Sequence, residues 1–254
     1  ARSTGCFPTT ARPSSSPENR RRSTVNNPLF LQPYPSFSPD DCEALRQLVS
    51  RILKPGCRIL EVGSWLGTGS TRAIIEMLLP VPDALLYCVD TWQGSPNVGR
   101  HLQIVQNYDV LATFRHNVEL SGGRDRVKQL VMTSQEAAKT VADNSFDLVF
   151  FDGDHSYLQT SKDIERWHPK VRNGGILCGH DCECRPAGEL RNRIILAKKD
   201  DCIDGQGTVF AAIHPGGVVA VDEAFEGAAH LWGEHSLLRA DGSKGYSTIW
   251  DIVK

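Results

Sequence analysis

The chain has 254 residues, a formal net charge of −2 and a sequence pI near 6.5, so it lacks the basic footprint that nucleic-acid binding needs. Its length suits one α/β domain with an arm, or at most two small domains, and is enough to bury a sizeable core. The most apolar run, "AIIEMLLPVPDALLYCV" (73–89), is interrupted by Glu76, Pro80, Pro82 and Asp83, which excludes a membrane span there.

Residues 1–38 hold five arginines, many Ser, Thr and Pro, and one acid, Glu18. That composition cannot bury a core. It reads as a disordered tail or as a transit-like arm, the latter being Arg-rich, Ser-rich and acid-poor. The sequence begins at Ala1 and not at Met, which leaves the true N-terminus open. The domain proper is expected over residues 39–254.

Ser38 can cap a helix, and "PDDCEALRQLVSRILKPG" keeps helical period until Pro55-Gly56 stops it. "RILEVG" (58–63) reads as a buried strand and "GSTRAIIEMLL" (69–79) as a helix. "ALLYCVD" (84–90) is a second strand, and a helical stretch near 102–120 ends at Gly122-Gly123. "RVKQLVM" (126–132) is a third strand, with a short helix from Ser134. "FDLVFFD" (146–152) is a fourth, "YLQTSKDIERWHPKV" a helix, and "GGILCGHD" (174–181) a fifth strand. Residues 182–215 are irregular and polar, "GGVVAVDEAFEG" is helical, and two last strands fall around 235–240 and 246–253.

Strands alternating with helices imply a doubly wound parallel sheet, and near-continuous apolar strands agree. Of the eight cysteines, Cys88 and Cys178 fall inside such strands, where cysteine behaves as a small apolar residue. The cysteines are therefore read as reduced, and the compartment as intracellular and cytoplasmic, or an organelle if the arm is a transit segment.

In sheets of this kind ligands sit at the carboxyl ends of the strands. Here those ends carry Gly63, Asp90 and Asp152. Gly63 lets backbone approach a ligand, and the helix start after it offers free N–H groups. The glycines at 63, 67 and 69 fit no G-x-G-x-x-G frame, so this is not the dinucleotide fingerprint. Asp90, twenty-seven residues after Gly63, can accept both hydroxyls of a ribose. Its other reading is a helix cap or a solvated strand end. "FFDGDHSY" (150–157) then places Asp152, Asp154 and His155 straight after a buried strand, too close together for a solvated charged face. Asp152 and Asp181 end neighbouring strands, so their carboxylates can converge about 5 Å apart. Asp181 can alternatively cap a turn.

With "EVGSWLGTGST", "VDTWQGS", "FDLVFFDGDHSY" and "VRNGGILCGHD" in this order, residues 40–254 resemble class I S-adenosylmethionine-dependent methyltransferases. The branch resembled holds metal-dependent small-molecule O-methyltransferases and cephalosporin-hydroxylase-like proteins. The resemblance implies an α/β Rossmann-like sheet of seven strands, order 3-2-1-4-5-7-6, the last strand antiparallel. It implies S-adenosylmethionine as cofactor, with Gly63, Ser64 and Gly67 around its methionine part and Glu61 near its amino group. Asp90 would hold the ribose, Ser134 and Trp92 would flank the adenine, and Asp152 would lie beside the methyl donor. The other reading of Trp92 is plain core packing.

Asp152 and Asp181, completed by His180 or Asp154, would hold a divalent metal, Mg²⁺ or Mn²⁺. Relatives usually carry an acid at the His180 position, and a histidine ligand favours Mn²⁺, Fe²⁺ or Zn²⁺ over Mg²⁺. His155, three residues beyond Asp152, is the candidate general base, since an imidazole can accept a proton at neutral pH. Its alternative is to cap the helix near Ser156. "CGHDCEC" (178–184) also admits zinc on Cys178, Cys182, Cys184, His180 and Cys202, although C-x₃-C-x-C fits no common frame. His214, opening a helix at "HPGG", is read as exposed or at the pocket rim. The expected partner is a small hydroxylated acceptor, without nucleic acid or membrane, and a homo-oligomer stays open. The competing functions are a cofactor-binding regulator without transfer activity, or a hydroxylase-like protein on the same scaffold.

Overall fold

The computed structural model describes residues 27–34, 37–95, 98–234, 236–239 and 241–254. Most of the expected arm, residues 1–26, lies outside them. Helix α1 (Pro39–Ser50) starts at Ser38, whose side chain accepts from Asp41 N while the Asp41 carboxylate returns to the Ser38 backbone, a reciprocal cap. Then follow β1 (Arg58–Val62), α2 (Ser70–Leu78), β2 (Leu85–Asp90), α3 (Gly99–Asn107), α4 (Val110–Leu120), β3 (Val127–Val131) and α5 (Ser134–Thr140). The second half holds β4 (Phe146–Phe151), α6 (Tyr157–Trp167), β5 (Val171–Gly179), α7 (Gly188–Leu196), β6 (Ile203–Asp204), β7 (Ala212–Ile213) and α8 (Pro215–Phe225). The chain finishes with β8 (His230–Leu231), β9 (Leu237–Leu238), β10 (Lys244–Gly245) and β11 (Trp250–Val253).

The main sheet runs β3-β2-β1-β4-β5-β11-β8. Its first five strands are parallel, and β11 lies antiparallel between β5 and β8. Counted along the chain this is the expected order 3-2-1-4-5-7-6. The apolar strands are continuous because both faces are covered. Ile59, Leu148, Phe150 and Cys178 pack on one face with α1, α2 and α4. Leu60, Val149, Phe151 and Leu177 pack on the other with α6 and α8.

Four expectations are corrected. The helix near 102–120 is two helices, because Tyr108 is extended and Asp109 caps α4 by accepting from Ala112 N at 2.8 Å. Residues 182–215 are not wholly irregular: they hold α7 and the two-residue ladder β6–β7, too short to leave a periodic trace. The sixth strand of the sheet is β8, not the stretch around 235–240, which pairs apart as the hairpin β9–β10. The described part of the arm also packs: Phe30 is buried against the core, its N–H donates to Thr113 Oγ1 at 3.0 Å, and Asp109 N donates to Pro28 O. Among the described residues no helix is long and apolar enough to cross a membrane.

Candidate functional site

At the carboxyl edge of β1, β2 and β4 two cavities share a wall. The first, about 320 Å³, runs from Asp90 past Met132 and Ser134 to Gly63 and Asp152. The second, about 390 Å³, continues from Gly63, Ser64 and Gly67 to His155, His180, Asp181 and His214. Gly63 has φ +91, and a Cβ there would overlap the Asp152 carbonyl and come within 2.6 Å of Gly153 Cα. Glycine at 63 therefore serves the close approach of two neighbouring backbones as well as an open floor.

Asp90 receives Trp65 N on Oδ2 at 2.8 Å and Trp92 N on Oδ1 at 2.6 Å, so it ties the loops after β1 and β2 together. Burial raises its carboxyl above the usual range, against those N–H donors. Trp92 itself is in the core, stacked near Phe114 and donating Nε1 to Trp65 O at 2.8 Å; it does not line either cavity. Trp65 lines both instead, against His101 with ring centroids 4.3 Å apart. His101 in turn meets Tyr34 of the N-terminal segment at 2.7 Å. Ser134 lines the first cavity, receives Trp167 Nε1 at 2.8 Å and donates to Asp163. Glu61 is fully buried beneath the glycine loop, accepting from Thr71 Oγ1 at 2.6 Å, and burial raises its carboxyl. Glu61 Oε1 and Ser64 Oγ are buried without a partner, the kind of orphaned acceptors a cofactor's ammonium or hydroxyl groups satisfy.

The far end of the second cavity is denser in ionisable groups than the sequence suggests. His180 Nδ1 lies 2.9 Å from Asp181 Oδ1 and 3.5 Å from Asp152 Oδ1, and Nε2 lies 3.2 Å from Asp41 Oδ2. Nε2 is nevertheless without an aligned hydrogen bond. Burial and the charges of Asp181 and Glu61 push Asp152 up to about 7 against the pull of His180. Burial would raise Asp181 too, but His180, His214 and His155 hold it below the usual range. Burial likewise works against His180, yet Asp181 and Asp152 raise it well above an ordinary imidazole. Asp41 is lowered to about 2, since His180, Ser38 and Ser247 outweigh burial.

His155 sits on the loop after β4, with Nε2 2.7 Å from Asp201 Oδ1 and Nδ1 3.4 Å from Asp181 Oδ2. Ser156 caps α6 without a side-chain bond, while Asp154 accepts from Ser156 N at 2.9 Å, so Asp154 and not His155 shapes that helix start. Tyr157 donates to Glu223 on α8. His214 is the residue most underread: it bonds Glu183 at 2.6 Å and lies 3.4 Å from Asp181. Glu183 raises it to about 8 despite its burial. Two glycines deliver it. A Cβ on Gly216 would meet Tyr157 N at 2.5 Å, and one on Gly217 would meet Asp181 O at 2.5 Å, so α8 presses its first turn onto both loops.

Among the described residues two groups offer converging metal ligands, Asp152–His180–Asp181 and His155–Asp181–His214, each with its atoms within 4.8 Å. Neither holds a cysteine. Cys178 points into the core and donates to Val149 O, and Cys182 is buried, so the cysteine zinc set is not assembled. The residues sequence reasoning missed are Asp41, His101, Glu183 and Asp201. No local pattern marks them, since each acts on a partner far away in the chain.

Residues 60–182 match a family model described as a methyltransferase domain. Over that stretch, just under half of its length, the chain is similar to methyltransferase domains. The matched span covers the glycine loop, Asp90, Asp152 and His155, and ends just after Asp181. An uncharacterised protein of Sinorhizobium fredii is 32% identical over 102 residues, 40% of this chain but only 10% of that protein. The fold is also that of an O-methyltransferase from Bacillus cereus solved with S-adenosylhomocysteine, at 18% identity and TM-score 0.53, covering 87% of this chain and 84% of that one. The O-methyltransferase TomG from Streptomyces achromogenes, involved in tomaymycin synthesis and solved with S-adenosylmethionine, aligns at 16% identity and TM-score 0.53, over 86% and 82% of the two chains. Gly63 follows β1 and Asp90 ends β2, at the carboxyl edge where ligands meet sheets of this kind.

Proposed function

We propose that the protein methylates a hydroxyl of a small acceptor, using S-adenosylmethionine and a divalent cation. The observation that carries this reading is the continuity of the two cavities: a cofactor held at Asp90 and at the Gly63 loop ends beside His155, His180 and Asp181. The cofactor supplies an electrophilic methyl group on a sulfonium centre. Asp90 would bind its ribose, Ser134 would border its adenine, and Ser64, Gly67 and Glu61 would take its methionine end. Asp152, His180 and Asp181 suit a small divalent ion such as Mn²⁺ or Mg²⁺, because one imidazole nitrogen and two carboxylate oxygens converge, the oxygens 3.5 and 2.9 Å from His180 Nδ1. The ion would supply positive charge that acidifies an acceptor hydroxyl. His155 takes the proton on Nδ1, and Asp201 holds the ring through Nε2–H. The N-terminal segment, through Tyr34, helps close the second cavity against water.

Labelled S-adenosylmethionine incubated with a metabolite extract should yield a labelled small product, and no transfer in any extract would overturn the reading. Treatment with excess chelator is expected to abolish that transfer, with Mn²⁺ or Mg²⁺ restoring it; full activity of the stripped protein would remove the cation from the mechanism. Asp90→Ala is expected to weaken cofactor binding on the order of 10²-fold, from losing hydrogen bonds to a charged group. Calorimetry checks the affinity, with a melting curve beside it because Asp90 also pins the Trp65 and Trp92 N–H groups. Unchanged affinity would move the ribose elsewhere.

A further inference from the structure

Asp181 faces three imidazoles: His180 Nδ1, 2.9 Å from Oδ1, and those of His155 and His214. One oxygen faces His214 Nδ1 at 3.4 Å and the other faces His155 Nδ1 at 3.4 Å. The two imidazole rings meet edge to face, centroids 4.5 Å apart at 63°. Neither imidazole makes its hydrogen bond to Asp181; each makes it to a second carboxylate behind it. His155 Nε2 meets Asp201 at 2.7 Å, and His214 Nδ1 meets Glu183 at 2.6 Å. Glu183 is buried and also accepts the His214 backbone N–H at 3.0 Å, so both ring and main chain are held. Asp201 on Nε2 leaves Nδ1 of His155 open, and a carboxylate on the far nitrogen is what orients a histidine towards a metal and raises its basicity. Glu183 takes Nδ1 of His214, so the nitrogen of His214 left to ligate is Nε2.

The supports are rigid on the third side too. Asp181 is a non-glycine residue at φ +60, with its N–H on Thr248 Oγ1, and its carbonyl lies under Gly217. A backbone held there against its preference persists where the surroundings impose it. Two imidazoles with one carboxylate are a softer donor set than Asp152–His180–Asp181, with its two carboxylates. They select borderline ions such as Zn²⁺, Co²⁺ or Fe²⁺ over Mg²⁺.

We infer that His155, Asp181 and His214 form a second cation site, specific for a borderline transition metal, which shares Asp181 with the carboxylate-rich set and differs from it in its two histidines. Binding at this site does not depend on the proposed methyl transfer. Its consequence for that transfer is direct: the metal takes the lone pair of His155, so ion and acceptor proton compete for one imidazole.

The test uses the full chain, stripped with chelator and then supplied with excess Mg²⁺ to engage the harder set. Co²⁺ is titrated as the probe and followed by its visible absorption, with Zn²⁺ added at the end. Co²⁺ is expected to bind one per chain despite the Mg²⁺, and Zn²⁺ to displace it. His214→Ala and His155→Ala should each weaken binding by at least about 10²-fold, and Glu183→Gln by about 10–100-fold, the usual effect of losing an outer carboxylate. Asp152→Asn should stay within a few-fold of the natural protein. Melting curves establish that each variant is folded, and the two histidine variants back each other up. Absence of Co²⁺ binding overturns the site, as does full binding in both folded histidine variants, or loss in Asp152→Asn alone. S-adenosylmethionine affinity measured on the same stripped sample reports on the proposed function separately.

Discussion

His155→Gln is expected to leave S-adenosylmethionine affinity intact and to cut methyl transfer by about 10²–10⁴-fold, the usual worth of a positioned proton acceptor. The ring sits at the mouth of the second cavity, on the loop leaving β4, away from the Asp90 end. Its Nε2 is committed to Asp201 at 2.7 Å, which leaves Nδ1 as the nitrogen with a free lone pair facing the site. Glutamine keeps the size and polarity but cannot accept a proton, so the loss reads proton transfer and not packing. Asp201→Asn should cost less, because it only loosens the ring. Single-turnover rates with labelled cofactor measure both variants against the natural protein, with cofactor affinity taken by calorimetry. Near-normal turnover in His155→Gln would put the base elsewhere.

Gly63→Ala is expected to cost about 3 kcal/mol of stability. The position has φ +91, where an L side chain loses about 1–2 kcal/mol. The added methyl would also strike the Asp152 carbonyl and Gly153, and overpacking of that kind costs about 1–3 kcal/mol. For a domain of this size that is a melting temperature lower by roughly 6–12 °C. Gly56→Ala is the matched control: φ is +72, but a methyl there meets nothing within 4 Å. It should pay only the backbone part, about 1–2 kcal/mol. Equal shifts in the two variants would show that the close approach of the chains leaving β1 and β4 is not what requires glycine at 63. Because the clash falls on Asp152, a folded Gly63→Ala should bind cofactor less well even where it survives heating.

The sequence alone determined the layers of this protein and the edge on which its chemistry sits. Buried strands read as unbroken apolar runs such as "FDLVFF" because helices cover both faces, and that signal is local. The cap at Ser38, the glycine loop after β1, and the acids at Asp90 and Asp152 were legible for the same reason: each is decided within a few residues of chain. Tertiary structure decided what those groups touch. Trp92 went to the core and Trp65 to the cavities, a choice set by how the loops after β1 and β2 fold over Asp90. His214, read as a helix-entry residue, joined the site because Gly216 and Gly217 let α8 press against the loops after β4 and β5. Asp201 reaches His155 across 46 positions, and Glu183 reaches His214 across 31. Spacings of that length carry no helical or strand period, and the meeting exists only once the sheet has brought the strand ends to one edge and the loops have closed over it.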